Sequence, residues 1–462
     1  MSSSSSPDAS PLDLGLLPRT ATVDVAGRLS IDGVDLEVLA REHGTPLYVY
    51  SETELRARAA EYRDAFGPDA VSYAGKAFLC GAMARVVADE GLHLDVATGG
   101  ELQLALHAGF PAARVVFHGN NKSDAELQLA LEQGIGRVVA DSFDELDRIE
   151  ALVAAGTGLN HGAPTRVLVR VTPGVEAHTH EYIATGADDS KFGFTVSNGS
   201  ARDAALRVVK SEAMQFAGFH CHIGSQILVL ESFARAAAVV AGLAADVVRA
   251  TDVPVPEINL GGGLGVPYTA DELDAPSIAE FGRETRASFA DACATFALDP
   301  APALTIEAGR SIAGPAGVTL YTVGTIKQIP GVRTYVAVDG GMSDNPRPAT
   351  YGAAYEAALP ARVTVPRTLL ATVAGKHCEQ GDLLVRDDQL PADVAVGDVL
   401  VTPVTGAYGH SMASNYNLVP RPAVVFVRDG QTRVVVRRET FSDLVVRDVE
   451  TGVADVPAGG GD

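Results

Sequence analysis

The sequence predicts a TIM-like (β/α)8 barrel followed by a β-domain, on two observations. Between residues 46 and 315, eight short β-branched runs alternate with longer segments whose apolar residues recur every three or four positions. After residue 316 the helical period largely disappears, and β-rich runs are separated by Gly, Pro and Asp, as in an antiparallel domain. Eight βα units in about 270 residues favour a barrel over a doubly wound sheet, which usually has five or six strands.

The domain organisation follows from the same patterns. We predict a disordered tail over 1–14, an N-terminal segment over 15–45, the barrel over 46–315, an antiparallel β-domain over 316–455 and a second disordered tail over 456–462. The hydrophobic and turn residues of 23–36 predict a strand. The N-terminal segment would contribute this strand to the β-domain and so complete it.

The barrel prediction also locates a site, because catalytic groups of this fold lie at the carboxyl ends of its strands. The predicted strands are 70–78, 92–98, 114–119, 137–142, 166–171, 216–224, 256–263 and 303–310. Their ends carry Lys76, Asp95, His118, Arg170, His222, Gly261 to Gly263 and the Glu307 to Arg310 turn. Such a mouth suits a small anionic molecule.

Composition excludes several classes of function. The 36 basic and 58 acidic residues give a net charge of −22, so neither nucleic acid nor an anionic membrane is expected as a partner. No apolar run of about 18 residues and no secretory signal pattern is present, so we expect a cytoplasmic protein. Four cysteines without a CxxC pair exclude a disulfide scaffold and a zinc ribbon.

Lys76 lies at the end of a strand, among apolar or tiny neighbours. A lysine that points into a barrel mouth loses solvation and its pKa falls, so its neutral amine can form a Schiff base with an aldehyde. The alternative is a strand-end lysine that reaches solvent.

The glycine run GGGLG (261–265) and the histidines of HCHIGSQ (220–226) admit several interpretations. The backbone amides of the run could approach a phosphate, but a dinucleotide turn or a plain tight turn is also possible. His220 and His222 could begin a zinc site. Because no third ligand lies nearby in sequence, we predict no metal and favour an imidazole on a flat ring, with Ser225 on a phosphate.

Two further segments carry reactive groups. In EAGR (307–310), one interpretation is a surface ion pair between Glu307 and Arg310. The other is that a pyridine ring lies in the mouth and Glu307 pairs with its ring nitrogen. Cys378 and Glu379 lie outside the predicted barrel, in GKHCEQGD. A buried structural cysteine is the ordinary interpretation of a single Cys, and the adjacent glutamate favours a reactive one.

Taken together, these segments resemble one family. The motifs YAGKAF, LDVATGGEL, EAHTHEYIATGADDSKFGF, HCHIGSQI, LGGGLG, EAGRSIAGP, VDGGMSDNPRPATYGA, GKHCEQGD and GAYGHSMASNYN occur in order between about Gly33 and Glu450. This set resembles the diaminopimelate decarboxylases, which depend on pyridoxal phosphate and share a fold type with ornithine decarboxylase and alanine racemase. The resemblance implies decarboxylation of meso-2,6-diaminopimelate to L-lysine and CO2, the last step of lysine biosynthesis.

The resemblance also implies roles for individual residues. Lys76 would carry the cofactor as a Schiff base, with His222 on its ring and Glu307 on the pyridinium nitrogen. The remaining cofactor contacts would come from Asp95, Ser225, Gly262, Gly263, Gly309, Arg310 and Tyr408. Substrate would be bound by Arg310, Arg347, Tyr351, Glu379 and Tyr408. Lys76, His222 and Cys378 would be catalytic, with Cys378 donating a proton in the neighbouring subunit's barrel, so the active unit would be a homodimer with composite sites.

The chain departs from the family pattern at a few positions and leaves alternatives open. Ala308 replaces the proline of the usual EPGR, and Gln380 replaces a serine in CESGD. The alternative substrates are ornithine, arginine and carboxynorspermidine, although Arg347 argues against the first two, which have no distal carboxylate. A catalytically inactive binding paralogue is the alternative from another class, and the intact Lys76 and Cys378 argue against it.

Overall fold

The computed structural model describes residues 11–158, 164–175 and 190–450. The HTHEYIATG stretch and most of both predicted tails lie outside these residues. The chain divides into two compact units, which are described separately. The barrel unit comprises Arg56–Val266 and Ala275–Ile312, and the β-unit comprises Met1–Leu55, Pro267–Asp274 and Ala313–Asp462.

The first described elements belong to the β-unit. Strands β1 to β3 form a small antiparallel sheet, followed by α1, β4 and the start of α2; their bounds are Ala21–Val23, Leu29–Ile31, Val34–Asp35, Leu36–His43, Leu47–Ser51 and Glu52–Phe66. The Asp35 carboxylate begins α1 by accepting from the Glu37 and Val38 amides. Leu12, Leu16 and Leu17 are buried, and Leu14–Leu16 forms a 3-10 turn. The described residues of the predicted tail 1–14 therefore pack against the fold, because Leu12 buries apolar surface.

The barrel unit is built on parallel strands, β5 to β13, at Val71–Ala74, His93–Val96, Val115–Phe117, Arg137–Ala140, Thr165–Thr172, Phe194–Thr195, Met214–Cys221, Glu257–Asn259 and Ala303–Ala308. In the described part of the chain, eight of them close into a ring, because β9 pairs with both β8 and β11 while β13 pairs with β5. All eight predicted strands are confirmed. The additional β10 is only two residues long and pairs with β9, too short to show a period.

The helices of this unit, α3 to α10, lie at Gly81–Asp89, Gly99–His107, Asp124–Gln133, Phe143–Ala154, Ser200–Lys210, Glu231–Thr251, Ile278–Thr295 and Arg310–Ala313. Several start at a hydroxyl side chain that accepts from the first turn. Ser123 with Glu126 and Ser277 with Glu280 form complete capping boxes. These signals are local, which explains why the helix starts can be read from the sequence.

One backbone irregularity in the barrel affects the site. The pairing of β11 with β9 shifts register between Phe216 and Gly218, which is a β-bulge. Gly218 has φ +127°, and a Cβ there would lie 1.8 Å from the Glu257 carbonyl oxygen. Glycine is therefore required where β11 bends, two residues before His220.

The β-unit continues with β14 to β20 at Gly317–Ile329, Arg333–Val338, Arg367–Ala374, Leu383–Pro391, Val399–Thr402, Ala423–Arg428 and Gln431–Val436. The strand order is β17-β16-β15-β14-β4-β19-β20, and β18 also pairs with β14. Helices α11 and α12 are Arg347–Tyr351 and Phe441–Val445.

The structure differs from the predicted β-domain in two respects. The sheet is mixed rather than antiparallel, because β15 pairs in parallel with β16 and β19 in parallel with β4. The long connection through α11 provides the crossover that the first of these pairings needs. The N-terminal strand that joins this sheet is β4, not the predicted strand in 23–36. Residues 46–55 therefore belong to the β-unit and not to the barrel. The sequence could not show this, because a short, fully buried strand has the same pattern in either unit.

Candidate active site

A buried carboxylate forms the centre of the site in the barrel unit. Glu307, near the end of β13, is 5% exposed, and two imidazoles approach the same oxygen. The Nε2 atoms of His118 and His220 each lie 3.1 Å from Glu307 Oε1. Asp95, on β6, lies behind them, with its Oδ1 3.7 Å from His118 Nε2. Because Glu307 is buried, its interpretation as part of a surface ion pair is wrong.

Burial and charge determine the ionisation of this group. Burial raises the pKa of Glu307, but His118 and His220 outweigh it and hold that pKa well below its usual range. Burial raises the pKa of Asp95 to about 6 against the opposing effect of His118. Burial lowers the pKa of His220 to about 4. Glu307 is therefore fully ionised at neutral pH, whereas Asp95 titrates much closer to neutrality.

Lys76 lies in a 3-10 turn, Gly75–Ala77, directly after β5. Its side chain is exposed, whereas Ala77 and Phe78 beside it are buried. The chain turns after Ala74 and places Lys76 just beyond the end of the strand. Lys76 as a residue is therefore exposed at this end of the barrel.

The glycine run follows β12 and packs tightly against the neighbouring strand ends. A Cβ on Gly262 would lie 2.1 Å from the Glu307 carbonyl oxygen, and one on Gly263 would lie 2.3 Å from that of Gly224. The Gly262 amide donates to His222 Nδ1 at 3.2 Å, and burial holds the pKa of His222 well below its usual value. The run thus fixes a neutral imidazole beside Glu307.

A second polar pair lies at the same end of the barrel. Arg310, directly after Gly309, is buried and donates from Nη2 to the Ser225 hydroxyl at 2.9 Å. A Cβ on Gly309 would lie 3.0 Å from that of Ala74, next to the Lys76 turn. Guanidinium and hydroxyl donors beside a glycine run are suited to a phosphate or carboxylate.

In the β-unit, Arg347 begins α11 and is 6% exposed. Its guanidinium lies 4.3 Å from the Tyr268 ring centre and donates to the Tyr355 hydroxyl. Burial opposes its charge, yet Tyr355 and Tyr268 raise its pKa above the usual value. Among the described residues no carboxylate forms an ion pair with Arg347, so this buried cation is suited to an external anion. Tyr351, at the end of α11, is half-buried.

The segment of Cys378 is held by an amide. Asn417 contacts both Cys378 and His377. Its Oδ1 accepts a hydrogen bond from the Cys378 backbone amide at 3.3 Å and lies 3.2 Å from His377 Nδ1. His377 Nε2 lies 2.8 Å from the Ser343 hydroxyl. Cys378 is exposed, so the buried structural interpretation is wrong for it, whereas the other three cysteines are buried. The adjacent Glu379 accepts from the Tyr416 hydroxyl at 3.4 Å.

The structure thus sorts the predicted residues by unit. The barrel unit brings to the carboxyl ends of its strands Lys76, Asp95, His222, Ser225, Gly262, Gly263, Glu307, Gly309 and Arg310. The β-unit holds Arg347, Tyr351, Cys378, Glu379 and Tyr408, the last in a loop with φ +60°.

Sequence reasoning gave no role to several residues that the structure makes prominent. It noted His118 only as a strand end and treated His220 as a possible partner of His222, whereas both face Glu307. These two histidines and Glu307 place three ligand atoms within 4.8 Å of one another, a set that could hold a metal ion. Tyr268 and Tyr355 have no motif in the sequence that predicts a role, and Asn417 lies in the motif GAYGHSMASNYN, which gives no indication of its contact with the Cys378 loop.

Comparison with known proteins gives a consistent result. The family model "Pyridoxal-dependent decarboxylase, pyridoxal binding domain" matches residues 52–314. Diaminopimelate decarboxylase of Mycobacterium tuberculosis is 46% identical over 441 residues (94% of this chain, 97% of the relative), and that of Bacillus subtilis is 48% identical over 434 residues (92% and 97%). The crystal structure of diaminopimelate decarboxylase from M. jannaschii superposes with a TM-score of 0.85 at 33% identity, covering 95% of this chain and 99% of that one.

A structure of the M. jannaschii protein in complex with L-lysine superposes with a TM-score of 0.83. No helix within the described ranges is long and apolar enough to cross a membrane. The shared barrel, the Glu307 and Lys76 motifs and identity of almost half over nearly the whole chain lead to one conclusion. The chain belongs to the diaminopimelate decarboxylase family of pyridoxal-dependent decarboxylases.

Proposed function

We propose that this protein removes CO2 from meso-2,6-diaminopimelate and yields L-lysine, the last step of lysine biosynthesis. The observation that carries the substrate assignment is Arg347, a buried guanidinium without an ion-pair partner among the described residues. A substrate with a second carboxylate can supply that partner. Ornithine and arginine have no distal carboxylate and would leave the buried cation uncompensated.

The residues of the barrel unit suit pyridoxal phosphate. An ionised, buried Glu307 is a suitable partner for a protonated ring nitrogen, and the close-packed glycine run with Ser225 and Arg310 is suitable for a phosphate. Lys76, an exposed residue directly after β5, offers its amine at the same end of the barrel. When bound, pyridoxal phosphate supplies a conjugated ring that accepts the electron pair released as the Cα–carboxylate bond breaks.

In this proposal the barrel residues hold and orient the cofactor. Lys76 would hold the cofactor through its side-chain amine, and His222 would lie against the ring. Glu307 retains the proton on the ring nitrogen, which keeps the ring electron-deficient. The phosphate is bound by Ser225, Gly263, Tyr408 and the backbone amides of 307–310, with Asp95, Gly262 and Gly309 in the surrounding wall.

The substrate is held at both ends. Arg310, Arg347 and Tyr351 bind carboxylates, while Glu379 and Tyr408 bind the distal amino-acid end. Cys378 donates the proton from Sγ to Cα after CO2 has left, which completes the amino acid. The exposed thiol and its backbone anchor on Asn417 support this role.

We further propose that the active unit is a homodimer in which Cys378 serves the barrel of the other subunit. The protein would act in the cytoplasm. All four cysteines are free, which accords with a reducing compartment.

The first experiment is CO2 release from meso-diaminopimelate, with L-ornithine and L-arginine in parallel, in the presence of pyridoxal phosphate. We expect release from meso-diaminopimelate alone, with lysine as the product. Release only from the other two would keep the cofactor and overturn the roles of Arg347 and Glu379. A purified protein that stays colourless with added cofactor would instead favour a binding paralogue, because a Schiff base on Lys76 absorbs visible light.

A further inference from the structure

Two histidines from separate strands meet one oxygen of Glu307. His118 directly follows β7 and His220 lies in β11, and their rings are edge to face, with centres 4.8 Å apart and planes at 70°. Both Nε2 atoms are 3.1 Å from Glu307 Oε1. His118, His220 and Glu307 are 6%, 1% and 5% exposed, so water does not screen this contact.

The distance assigns the protons. A nitrogen lone pair that faced a carboxylate oxygen at 3.1 Å would be repelled, and burial makes this repulsion costly. We therefore assign a proton to Nε2 of both imidazoles. Neither contact has the geometry of a hydrogen bond, so the attraction between each N–H dipole and the Oε1 charge is electrostatic. In a neutral His220 this leaves Nδ1 as an unprotonated acceptor, which is buried without a hydrogen-bond donor, and a lone pair in that position costs less than an N–H group would.

The charged and titratable groups that face this centre come from several strands. Asp95 on β6 lies 3.7 Å from His118, and Arg170 on β9 also faces Glu307 but lies 3.5 Å from Asp141. His222, Lys76, Cys221 and Glu101 also interact electrostatically with this centre. The two imidazoles lie closest to Oε1, each at 3.1 Å, and their combined attraction holds this oxygen in place.

We propose that His118 and His220 are positioning residues that fix Glu307 through Oε1 and keep it ionised, so that Oε2 is presented to the ring nitrogen of pyridoxal phosphate. The inference rests on the proposed function. Under this inference, two residues that do not contact the cofactor determine how strongly its ring nitrogen holds a proton.

A metal ion is the competing occupant, since the same three groups could ligate one. A metal on Oε1 would give the histidines a different task. Elemental analysis of the purified, cofactor-loaded protein separates the two cases. We expect less than one-tenth of an equivalent of any transition metal, and a stoichiometric metal ion that Glu307→Gln removes would overturn the proposal.

The decisive variants are His118→Leu and His220→Leu, which remove the donors, and His118→Gln and His220→Gln, whose amide N–H can replace Nε2–H. His93→Leu is the matched control, since His93 is also buried on a strand of this barrel but faces the exposed Asp69 at 3.9 Å. Two quantities are measured for each protein: the dissociation constant of pyridoxal phosphate from the apo form, and the protonation of an isotopically labelled ring nitrogen by NMR against pH.

For each Leu variant we expect cofactor affinity to fall by about tenfold or more, and the ring nitrogen to lose its proton at lower pH than in the wild type. The Gln variants should recover most of both effects, and the control should show neither. A merely structural role would lower stability in the Leu variants without moving the ring-nitrogen titration.

Wild-type affinity and wild-type ring protonation in both Leu variants would overturn this inference, even if the enzyme releases CO2 normally. If the Leu variants fail to fold, the Gln variants decide, because a ring-nitrogen titration unchanged in the double Gln variant is expected and a shift of a full pH unit would contradict it. Failure of the proposed function is recognised separately, by a wild-type protein that binds the cofactor and releases no CO2.

Discussion

Arg347 shows how a single residue can indicate a ligand. A buried guanidinium usually has an anionic partner, because removing its charge from water costs roughly several kcal/mol. Arg347 has two tyrosines instead, one beneath its plane and one accepting its hydrogen bond. Aromatic contacts of about 1 to 2 kcal/mol compensate only part of that cost. A second carboxylate on the substrate would supply the remainder.

The change Arg347→Met tests this assignment, since Met keeps the length of the side chain and removes the charge. We expect kcat/KM for meso-diaminopimelate to fall on the order of a hundredfold, chiefly through KM, while the free energy of unfolding stays equal or rises because an uncompensated charge has been removed. The control is Arg367→Met in the same unit, because Arg367 is equally buried but paired with Glu356 and Asp388. It should lose stability and keep its KM. The opposite pattern would contradict the role of Arg347.

At the scale of elements, hydrogen bonds hold the loop between β15 and α11, which directly precedes Arg347. Asp344 accepts from the Tyr321 hydroxyl at 2.6 Å and from the Gly341 amide at 2.8 Å, and its carbonyl oxygen accepts from the Tyr48 hydroxyl. Burial raises the pKa of Asp344 to about 7, although these donors oppose the rise. The loop therefore contains a buried carboxyl group that titrates near neutral pH.

This titration predicts a pH dependence of stability. Between about pH 4 and pH 7 the folded protein holds a proton on Asp344 that the unfolded chain has released, so unfolding releases a proton. The contribution of Asp344 to the free energy of unfolding should then fall as pH rises through this window, by at most about 1 kcal/mol per pH unit.

Denaturant unfolding of the wild type and of Asp344→Asn across the window measures the effect. Groups remote from Asp344 titrate equally in both proteins, so the difference between the two curves reports Asp344 together with its carboxylate neighbours Asp339 and Asp382. It should move in favour of the Asn variant as pH rises. A constant difference, or one that moves the other way, would show that Asp344 is ionised throughout.

At the scale of the whole molecule, the proposed roles are divided between two kinds of unit. The cofactor residues lie in the barrel unit, and the proposed proton donor Cys378 lies in the β-unit. If the two come from different subunits, the assembly is part of the chemistry, because neither subunit alone would hold a complete site.

Mixing inactive subunits tests the composite site. Lys76→Ala lacks the cofactor-binding amine and Cys378→Ala lacks the proton donor, so each homodimer should be inactive. After denaturation and refolding together in equal amounts, about a quarter of the wild-type number of sites should be restored, because half of the dimers are mixed and each has one intact site. No recovery, despite exchange shown by tagged subunits, would contradict the shared site.

Local patterns determined most of the fold. The eight barrel strands, the helix caps at Ser123 and Ser277 and the β-rich second half all have a period or a capping residue that is independent of distant contacts. Exposure at a turn is harder to predict. The sequence allows Lys76 either to be desolvated in the barrel mouth or to reach solvent, and the 3-10 turn that exposes this residue has no periodic signal in the sequence.

By itself the sequence determined the class of fold, the motifs of the family and the residues to which those motifs assign roles. Only the tertiary structure decided that β4 belongs to the mixed sheet, that His118 and His220 share one oxygen of Glu307, and that Tyr268 lies beneath Arg347. The reason is that period and polarity depend on neighbours in the chain. Which strands become adjacent in a closed ring, and which side chains then meet inside it, depends on pairings between segments far apart in sequence.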